Sequence, residues 1–587
     1  MAASKQSAEQ LITDNIEVWS SAIKKRGSQG RGSSKKIELY GIKKLRELIL
    51  ELAVRGLLVP QDPSDEPASV LLEKIAAEKE QLIKDGKIKK QKPLSVITEE
   101  EKPFTLPKGW EFVRLGSIIS ISSGAGLTAA KMNREGSIPV YGGNGVTGHH
   151  DAGNVKKETL VIGRVGFYCG SVHVTPKLAW VTDNAFITKF SEDNISLMYL
   201  SWLLKATNLN ENDSATAQPV ISGRKVYPIV IALPPTKEQP RIVAKVNELM
   251  ALCDQLEQQT ETSLTAHQTL VETLLNTLLT AAQTMPTNTN KAASSANSSQ
   301  ESSFDQAWNR IAQHFDVLFT TEHSIDQLKQ TILQLAVMGK LVPQDPSDEP
   351  ASVLLEKIAA EKEQLIKDKK IKKQKALPPI DDEKPFELPS GWGLTRLDDI
   401  CYSVTSGSTP PKTEFNEDEG VPYLKVYNIK NQEIAFDYKP QYVSAEYNAT
   451  KLKRSILYPG DVVMNIVGPP LGKVAIIPDS HPEWNCNQAI TFFRPIVSSL
   501  NTYIYTYLLA GTFLHSIELI GTAGQDNISV TKSRSIILPL PPVKEQLRIV
   551  SRVNELMAIC DSLKLRVNES WSTQLHLADA MAENALV

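Results

Sequence analysis

Residues that could do catalytic chemistry are scattered along this sequence rather than grouped at motif spacings. Gly468-Pro-Pro-Leu-Gly-Lys-Val has the glycines and lysine of a phosphate loop, but it lacks the GxxxxGK[ST] spacing and the hydroxyl that would bind Mg²⁺. His149 and His150 are adjacent, and adjacent side chains on a strand point to opposite faces, so they do not predict a metal site. We therefore interpret the first motif as a turn and the histidines as surface residues or as contacts to a bound partner.

The cysteines and the hydropathy pattern indicate where the chain works. The five cysteines contain no CxxC pair and are odd in number, which is typical of a reducing cytoplasm. No apolar run approaches the roughly 20 residues that span a bilayer, so no membrane contact is expected. The beginning of the chain also lacks the apolar core of a signal peptide. At 587 residues, the chain is expected to contain several domains.

An internal repeat organises the elements that must position any site. Leu58–Asp85 recurs letter for letter at Leu341–Asp368, and after one mismatch KIKKQK follows in both copies. L-P-x-G-W follows each copy at Leu106–Trp110 and Leu388–Trp392. After about 125 and 150 divergent residues, L-P-P-x-K-E-Q begins a long helical pattern in each half. The chain is therefore two half-chains of one plan.

Periodicity predicts an α+β fold in which helices alternate with two β-rich domains. Apolar spacing predicts helices at 6–25, Ile42–Leu58, Ala68–Lys84 (with Leu72, Ile75, Leu82 and Ile83 as its apolar side) and Ile325–Leu341. The long helices have apolar seams at Ile242, Val246, Leu249, Cys253, Leu256 and at Ile549, Val553, Leu556, Cys560, Leu563, which predict an antiparallel coiled coil. Short β-type runs predict strands at Ser137–Tyr141, Thr159–Ile162, Ala179–Thr182, Val421–Val426, Asp461–Ile466 and Ala489–Phe493.

These patterns divide the chain into seven segments. They are an N-terminal helical region with the first repeat copy and a basic Gly/Ser tether at 26–36 (1–105), variable domain 1 (106–233), long helix 1 (234–283), a flexible linker (284–303), a helical region with the second repeat copy (304–387), variable domain 2 (388–540) and long helix 2 (541–587).

The split between identical helical segments and divergent domains indicates bipartite recognition. Identical segments can hold two copies of one partner, while divergent domains can recognise two different targets. Duplex DNA fits, because half-sites on one face recur about every 34–36 Å. The net charge of −3 does not favour nucleic acid. The alternative is a non-enzymatic coiled-coil scaffold or adaptor whose β-rich domains bind proteins.

The order of these motifs, repeated twice, resembles the specificity (S) subunit of type I restriction-modification enzymes over nearly the whole chain. In variable domain 1, Ile138–His149, Ile162–Gly166 and Ala217–Ser222 are similar to recurring stretches of that family's target-recognition domains. In variable domain 2 we assign the same places, in the same order along the chain, to Val421–Ile429, Pro459–Val463 and Ala523–Ser529.

The resemblance implies a DNA-recognition role without catalysis in this chain. It implies two target-recognition domains, two modification (methyltransferase) subunits docked on the helices, and restriction subunits added to that core. S-adenosylmethionine would belong to the modification subunits, and ATP and Mg²⁺ to the restriction subunits. The Pro-Pro pairs occur as LPPT, TPPK, LPPI, GPPL and LPPV, so no Asn/Asp/Ser-Pro-Pro-aromatic motif supports an autonomous DNA methyltransferase.

Candidate DNA contacts are polar or cationic side chains in the divergent domains, since Arg and Lys pair with guanine, Asn and Gln pair with adenine, and cations contact phosphates. They are Lys131, Arg134, Asn144, His149, Arg164, Gln218, Ser222, Arg224 and Lys225 in variable domain 1, and Thr409, Lys412, Lys425, Asn428, Lys430, Lys473, Gln525, Asn527, Lys532 and Arg534 in variable domain 2. Variable domain 1 has twelve Lys/Arg and nine Asp/Glu, a net +3, and variable domain 2 has twelve and fourteen, a net −2. Weak binding by the isolated chain is therefore expected.

Overall fold

A computed structural model describes residues 8–25, 37–86, 93–133, 135–166, 169–209, 220–284, 302–380, 386–416, 418–517 and 527–586. The chain forms two compact units: unit 1 comprises 1–263 and 569–587, and unit 2 comprises 264–568. The predicted tether at 26–36, the KIKKQK of the first repeat at 87–92 and most of the predicted linker lie outside the described residues.

The first half of the chain contains eight described helices and eleven described strands. The helices are α1 (Ala8–Thr13), α2 (Ile16–Ser21), α3 (Tyr40–Val54), α4 (Ala68–Lys84), α5 (Leu115–Ile118), α6 (Leu197–Ala206), α7 (Gly223–Val226) and α8 (Glu238–Thr284). The strands are β1 (Lys24–Lys25), β2 (Ile37–Glu38), β3 (Glu111–Arg114), β4 (Ile119–Ser123), β5 (Ile138–Gly142), β6 (Gly145–His150), β7 (Leu160–Gly163), β8 (Val172–Val174), β9 (Trp180–Val181), β10 (Ala185–Phe190) and β11 (Val230–Leu233).

The second half follows the same general plan, with nine described helices and twelve described strands. Its helices are α9 (Ser303–Gln313), α10 (Phe315–Leu318), α11 (Glu322–Val337), α12 (Ala351–Lys367), α13 (Leu397–Ile400), α14 (Ala445–Thr450), α15 (Asn501–Ala510), α16 (Val530–Arg534) and α17 (Val543–Asn584). Its strands are β12 (Gly393–Arg396), β13 (Cys401–Ser406), β14 (Phe415–Asn416), β15 (Val421–Leu424), β16 (Ile429–Lys430), β17 (Glu433–Ile434), β18 (Tyr442–Val443), β19 (Val462–Asn465), β20 (Val474–Ile476), β21 (Asn485–Cys486), β22 (Ile490–Pro495) and β23 (Ile537–Leu540).

Each variable domain is built on a four-stranded antiparallel sheet of the same order. The order is β4-β10-β7-β8 in variable domain 1 and β13-β22-β19-β20 in variable domain 2. All four residues of β7 and of β19 are buried, because these strands are covered on both faces. A smaller sheet adds one parallel pair to each domain, β5 with β9 and β15 with β21.

The helical predictions are confirmed for the repeat and corrected at two places. The helices α4 and α12 begin and end at equivalent residues, as the identical sequences require. The predicted apolar side of α4 contains the buried Ile75 and the partly buried Leu72, but the prediction missed Leu71, which is more fully buried. A single helix at 6–25 is wrong, because the helix breaks between Thr13 and Ile16.

Each long helix contributes to the cores of both units. The predicted seam of α8 is buried in unit 1, with Val246 and Cys253 fully covered. Farther along α8, Val271 and Leu278 are buried in a core of unit 2 that also contains Cys560 of α17. The end of α17 returns to unit 1. Each unit thus holds the beginning of one long helix and the end of the other, the order that an antiparallel pair requires.

A buried hydrogen bond that occurs in both units joins each variable domain to its helical region. The indole N–H of Trp110 donates to the Glu238 carboxylate at 3.1 Å, and Trp392 donates to Glu545 at 3.1 Å. The Gln61 amide donates to the other oxygen of Glu238 at 3.4 Å. The three repeated motifs, Q-D-P-S-D, L-P-x-G-W and L-P-P-x-K-E-Q, therefore meet at one carboxylate in each unit.

The described residues also bear on the cysteines and on membrane contact. All five cysteines are buried, and none forms a disulfide bond. Within the described ranges, no helix combines the length and the apolar character needed to cross a membrane.

Candidate DNA interface

In variable domain 1, five chain segments meet where the strands of the main sheet end. Gly124 N donates to Ala185 O at 3.1 Å, Arg164 N donates to Asn184 O at 2.9 Å, and Ile221 N donates to Arg164 O at 2.9 Å. The Ser171 hydroxyl donates to Gly143 O at 2.9 Å, which places the β5–β6 turn beside the end of β7. We name 123–126, 143–144, 163–166, 182–184 and 220–222 the strand-end cluster of variable domain 1.

The same backbone contacts recur in variable domain 2. Gly407 N donates to Ile490 O at 3.1 Å, Ile466 N donates to Ala489 O at 2.8 Å, and Ile528 N donates to Ile466 O at 2.9 Å. The strand-end cluster of variable domain 2 is therefore 406–409, 425, 465–468 with 473, 487–489 and 527–529. Two domains of divergent sequence thus share one backbone arrangement at their strand ends.

Glycines permit the close approach of these segments. A side chain at Gly124 would collide with the carbonyl oxygen of Val181, and one at Gly407 would collide with that of Cys486. Glycine therefore follows Ser123 and Ser406 at the end of the first sheet strand in both domains, because a Cβ atom has no room there.

The structure places several of the candidates of variable domain 1 in its cluster. Asn144 is exposed at the β5–β6 turn, and Ser222 precedes α7. The Arg164 guanidinium lies over the Phe186 ring at 5.4 Å and donates to the Ser123 hydroxyl and to Asp183 O, each at 3.4 Å. The Lys225 ammonium donates to Val220 O at 3.0 Å, so it neighbours the cluster.

Other candidates of this domain lie elsewhere or are not described. Lys131 and His149 are exposed outside the cluster, where Met132 approaches Gly148. Arg224 is exposed on α7. Arg134 and Gln218 lie outside the described residues.

In variable domain 2, four candidates lie in the cluster. Thr409 is exposed, and Lys425 directly follows β15. The backbone N–H of Lys473 donates to the Asn465 side chain at 2.7 Å. Asn527 forms an isolated antiparallel β-bridge with Val467. Three lie outside it: Lys412 is exposed, Lys430 covers the Tyr438 ring at 3.1 Å, and Lys532 is partly buried on α16. Gln525 is outside the described residues.

Two further candidates, Asn428 and Arg534, have their polar groups held by partners in the fold, and the structure does not support them as DNA contacts. Asn428 is 1% exposed, its side-chain oxygen accepts from Lys425 N, and its amide donates to Tyr438 O at 2.9 Å. Arg534 makes a two-point ion pair with Asp398 at 2.8 and 3.0 Å. Removing either group from these contacts would leave a poorly solvated polar partner, so both serve the fold.

The hydrogen bonds also correct one motif correspondence. Ile162–Gly166 was assigned to the place of Pro459–Val463, but the sheet register aligns it with Met464–Gly468. Arg164 therefore has Ile466 as its counterpart.

Sequence reasoning also missed Ser123, Asp183 and Gln488, which belong to the clusters. No periodic signal marks such positions, since each lies at or beside a turn.

The His173 side chain, beside the strand-end cluster of variable domain 1, has a shifted pKa. Burial, with a smaller effect of the Lys205 charge, lowers the pKa of His173, whose ring lies under Gly145 and 6.4 Å from the Tyr141 ring. His173 is therefore neutral near pH 7 and adds no positive charge to this surface.

The described residues contain no group of three or more His, Cys, Asp or Glu side chains that could hold a metal ion. Gly468–Leu471 lies between two antiparallel strands, β19 and β20, rather than between a strand and a helix as in a phosphate loop. The prediction of a turn there is confirmed.

The chain has two domains of one topology on a duplicated helical framework. Each domain has exposed polar groups at its strand ends. These features define a protein with two related recognition domains. The family model described as "Type I restriction modification DNA specificity domain" matches residues 107–266 and 389–570. The chain belongs to the family of type I restriction-modification DNA specificity subunits. The scaffold or adaptor alternative is therefore not favoured.

Two curated relatives from Escherichia coli match almost end to end. The chain is 41% identical to the type I restriction enzyme EcoAI specificity subunit, over 99% of this chain and 100% of that protein. It is also 41% identical to the EcoEI specificity subunit, over 98% and 99%. Among solved structures, the HsdS subunit from Thermoanaerobacter tengcongensis aligns with a TM-score of 0.36 and 17% identity, covering 83% of this chain and 98% of that one. The family assignment comes from the sequence matches.

Proposed function

We propose that each variable domain recognises one half of an asymmetric bipartite sequence in double-stranded DNA, with an unspecified spacer between the halves. Family membership supports a DNA-specificity role. The observation that supports a bipartite DNA sequence is the shared backbone of the two strand-end clusters. The clusters present different side chains at equivalent places, such as Arg164 in one domain and Ile466 in the other. One arrangement with two sets of side chains suits two different short sequences.

The helical segments give the proposal its second part. The helices α8 and α17 set the separation of the half-sites, and the identical segments around α4 and α12 dock two modification subunits. The exposed surfaces of the segments around α4 and α12 bear the same charged residues, including the ion pairs Lys74–Glu66 and Lys357–Glu349. Equal surfaces suit two copies of one partner.

In this proposal, the chain recognises DNA in the cytoplasm and performs no catalysis. S-adenosylmethionine is bound by the modification subunits, and ATP and Mg²⁺ by the restriction subunits that join them. The recognition subunit is required for both methylation and restriction, since both activities depend on the site that it selects.

A domain exchange tests the proposal. Replacing 106–233 with the corresponding domain of another specificity subunit should change one half-site and leave the other half-site and the spacer length unchanged. Genome-wide mapping of methylated bases in cells with the matching subunits gives the result, and the same exchange at 388–540 is the reciprocal control. A single uninterrupted methylated motif would contradict the proposal.

A further inference from the structure

The turn that precedes the central sheet strand is held in the same way in both variable domains. Thr182 N donates to Tyr141 O at 2.9 Å, and Asn487 N donates to Leu424 O at 2.9 Å. The last residues of the two turns, Asn184 and Ala489, accept from the strand ends described above. Positions 183 and 488 are therefore equivalent places on one backbone.

The middle residue of each turn is not needed for this arrangement. In one turn the Thr182 hydroxyl accepts from Asn184 N at 3.4 Å, and in the other the Asn487 side chain accepts from Ala489 N at 3.2 Å. The first residue thus supplies the side-chain contact that stabilises the turn. The side chains of Asp183 and Gln488 are exposed and make no hydrogen bond within the described parts of the chain.

Both positions lie among the candidate DNA contacts. Asp183 O accepts from the Arg164 guanidinium, which also contacts Ser123. In variable domain 2, Ser408 N donates to Cys486 O, so Thr409 follows directly beside the turn that contains Gln488. A polar side chain without a structural partner at this place is available to an external ligand.

Resting on the proposed function, we propose that positions 183 and 488 determine which base each domain accepts. A carboxylate only accepts hydrogen bonds and repels phosphate, so Asp183 is suited to the 4-amino group of cytosine. A carboxamide both donates and accepts, so Gln488 is suited to the N6 and N7 atoms of adenine. Two domains that share a backbone but prefer different bases must differ at such positions.

The first test changes Gln488 in the complex with the modification subunits, with methylated sites sequenced from a randomised DNA library. Gln488→Ala should reduce discrimination at one base of one half-site about ten- to a hundredfold, because one bidentate contact is lost. Gln488→Glu should replace the preference for adenine there with one for cytosine, since the amide donor becomes an acceptor. The other half-site should be unchanged.

The second test changes the equivalent residue of variable domain 1. Asp183→Asn and Asp183→Ala should weaken the preference for cytosine at one base of the opposite half-site by a similar factor. Asp193→Asn and Asp479→Asn are matched controls, because both residues are exposed in the same domains and lie outside the strand-end clusters. They should leave both half-sites as in the parent chain.

The outcomes separate this inference from the proposed function. Unchanged half-sites in all four variants, with a bipartite motif in the parent, would overturn the inference alone. An equal loss of methylation at every sequence would also overturn it, since that result indicates a contact with phosphate or a defect in folding. A parent chain without a bipartite motif would overturn the proposed function itself.

Discussion

At the scale of single residues, the chain uses its repeated motifs for the contacts that hold domain and helix together. Trp110, Gln61 and Glu238 come from three separate motifs, and the equivalent set in unit 2 is Trp392, Gln344 and Glu545. Arg241 and Asp65 form an ion pair beside the first set. These motifs recur in both halves, whereas the side chains of the strand-end clusters differ. The shared residues therefore serve the assembly of the fold.

Glu238→Ala should lower the free energy of unfolding by about 1–3 kcal/mol, because the buried Trp110 N–H loses its acceptor. Urea unfolding followed by tryptophan fluorescence measures the change, and Glu545→Ala should give a similar loss. Thr236→Ala, at an exposed position two residues away, is the control. Equal stability of Glu238→Ala and the control would contradict the structural role of this carboxylate.

The same carboxylate predicts a dependence on pH. Burial raises the pKa of Glu238, and burial likewise raises the pKa of Glu545. The folded chain therefore holds these protons more tightly than the unfolded chain. Each ionisation then lowers stability as the pH rises from the ordinary pKa near 4.5 to the raised value, and has no further effect above it.

Glu238→Gln removes one of these ionisations and keeps an acceptor for Trp110. Its stability relative to the parent should rise with pH above 4.5 and then level off. Urea unfolding at several pH values between 4.5 and 7.5 measures this difference. A relative stability that falls over this range would show that the charged form is favoured in the fold.

Sequence reasoning located the polar surface of each domain but not the function of each side chain. Arg534 and Asn428 have side chains that could bind DNA. However, Arg534 pairs with Asp398, which is distant in sequence. Asn428 donates to the Tyr438 carbonyl, which belongs to a nearby turn. Asp183 and Gln488 stand out only after the hydrogen bonds align the two domains. Residue type shows what a group can bind, whereas its availability depends on tertiary contacts.

At the scale of elements, the repeat and the long helices were predicted best, since they have strong periodicity. The six strands that were predicted were located within one or two residues, as Leu160–Gly163 against a predicted Thr159–Ile162 shows. The sheet order was not predicted, because the pairing of β10 between β4 and β7 depends on contacts that a single strand sequence does not specify.

The long helices predict a change of spacer without a change of half-sites. Inserting four helical residues after Ser263 and four after Asn568 lengthens α8 and α17 by about 6 Å, or one to two base pairs. These are the positions at which the two units divide, so the core of each unit should be preserved. Methylome mapping should show a longer spacer, whereas four residues added within 285–300 should not change it. A changed half-site would count against this function of the helices.

At the scale of the whole molecule, charge sets the strength of DNA binding. The chain has a net charge of −3, and non-specific affinity depends mainly on phosphate neutralisation. We expect the purified chain to bind its target much more weakly than the complex with modification subunits. DNA titrations of the chain and of the complex at several salt concentrations measure this difference. A plot of the logarithm of the binding constant against the logarithm of the salt concentration should have a smaller slope for the chain alone. Equal affinity at matched salt would refute the view that the partners supply much of the cationic surface.

The returning end of α17 has a consequence for biosynthesis. Ala578 and Ala582 are buried in the core that contains Trp19 and Leu45, and the Tyr40 hydroxyl donates to Asp579 at 2.7 Å. Trp19 and Leu45 must therefore wait for the synthesis of residues more than 500 positions later before this core is complete. A polypeptide that stops before Ala578 would leave part of this core exposed, which makes it a better substrate for proteases and chaperones than a chain that includes α17 in full.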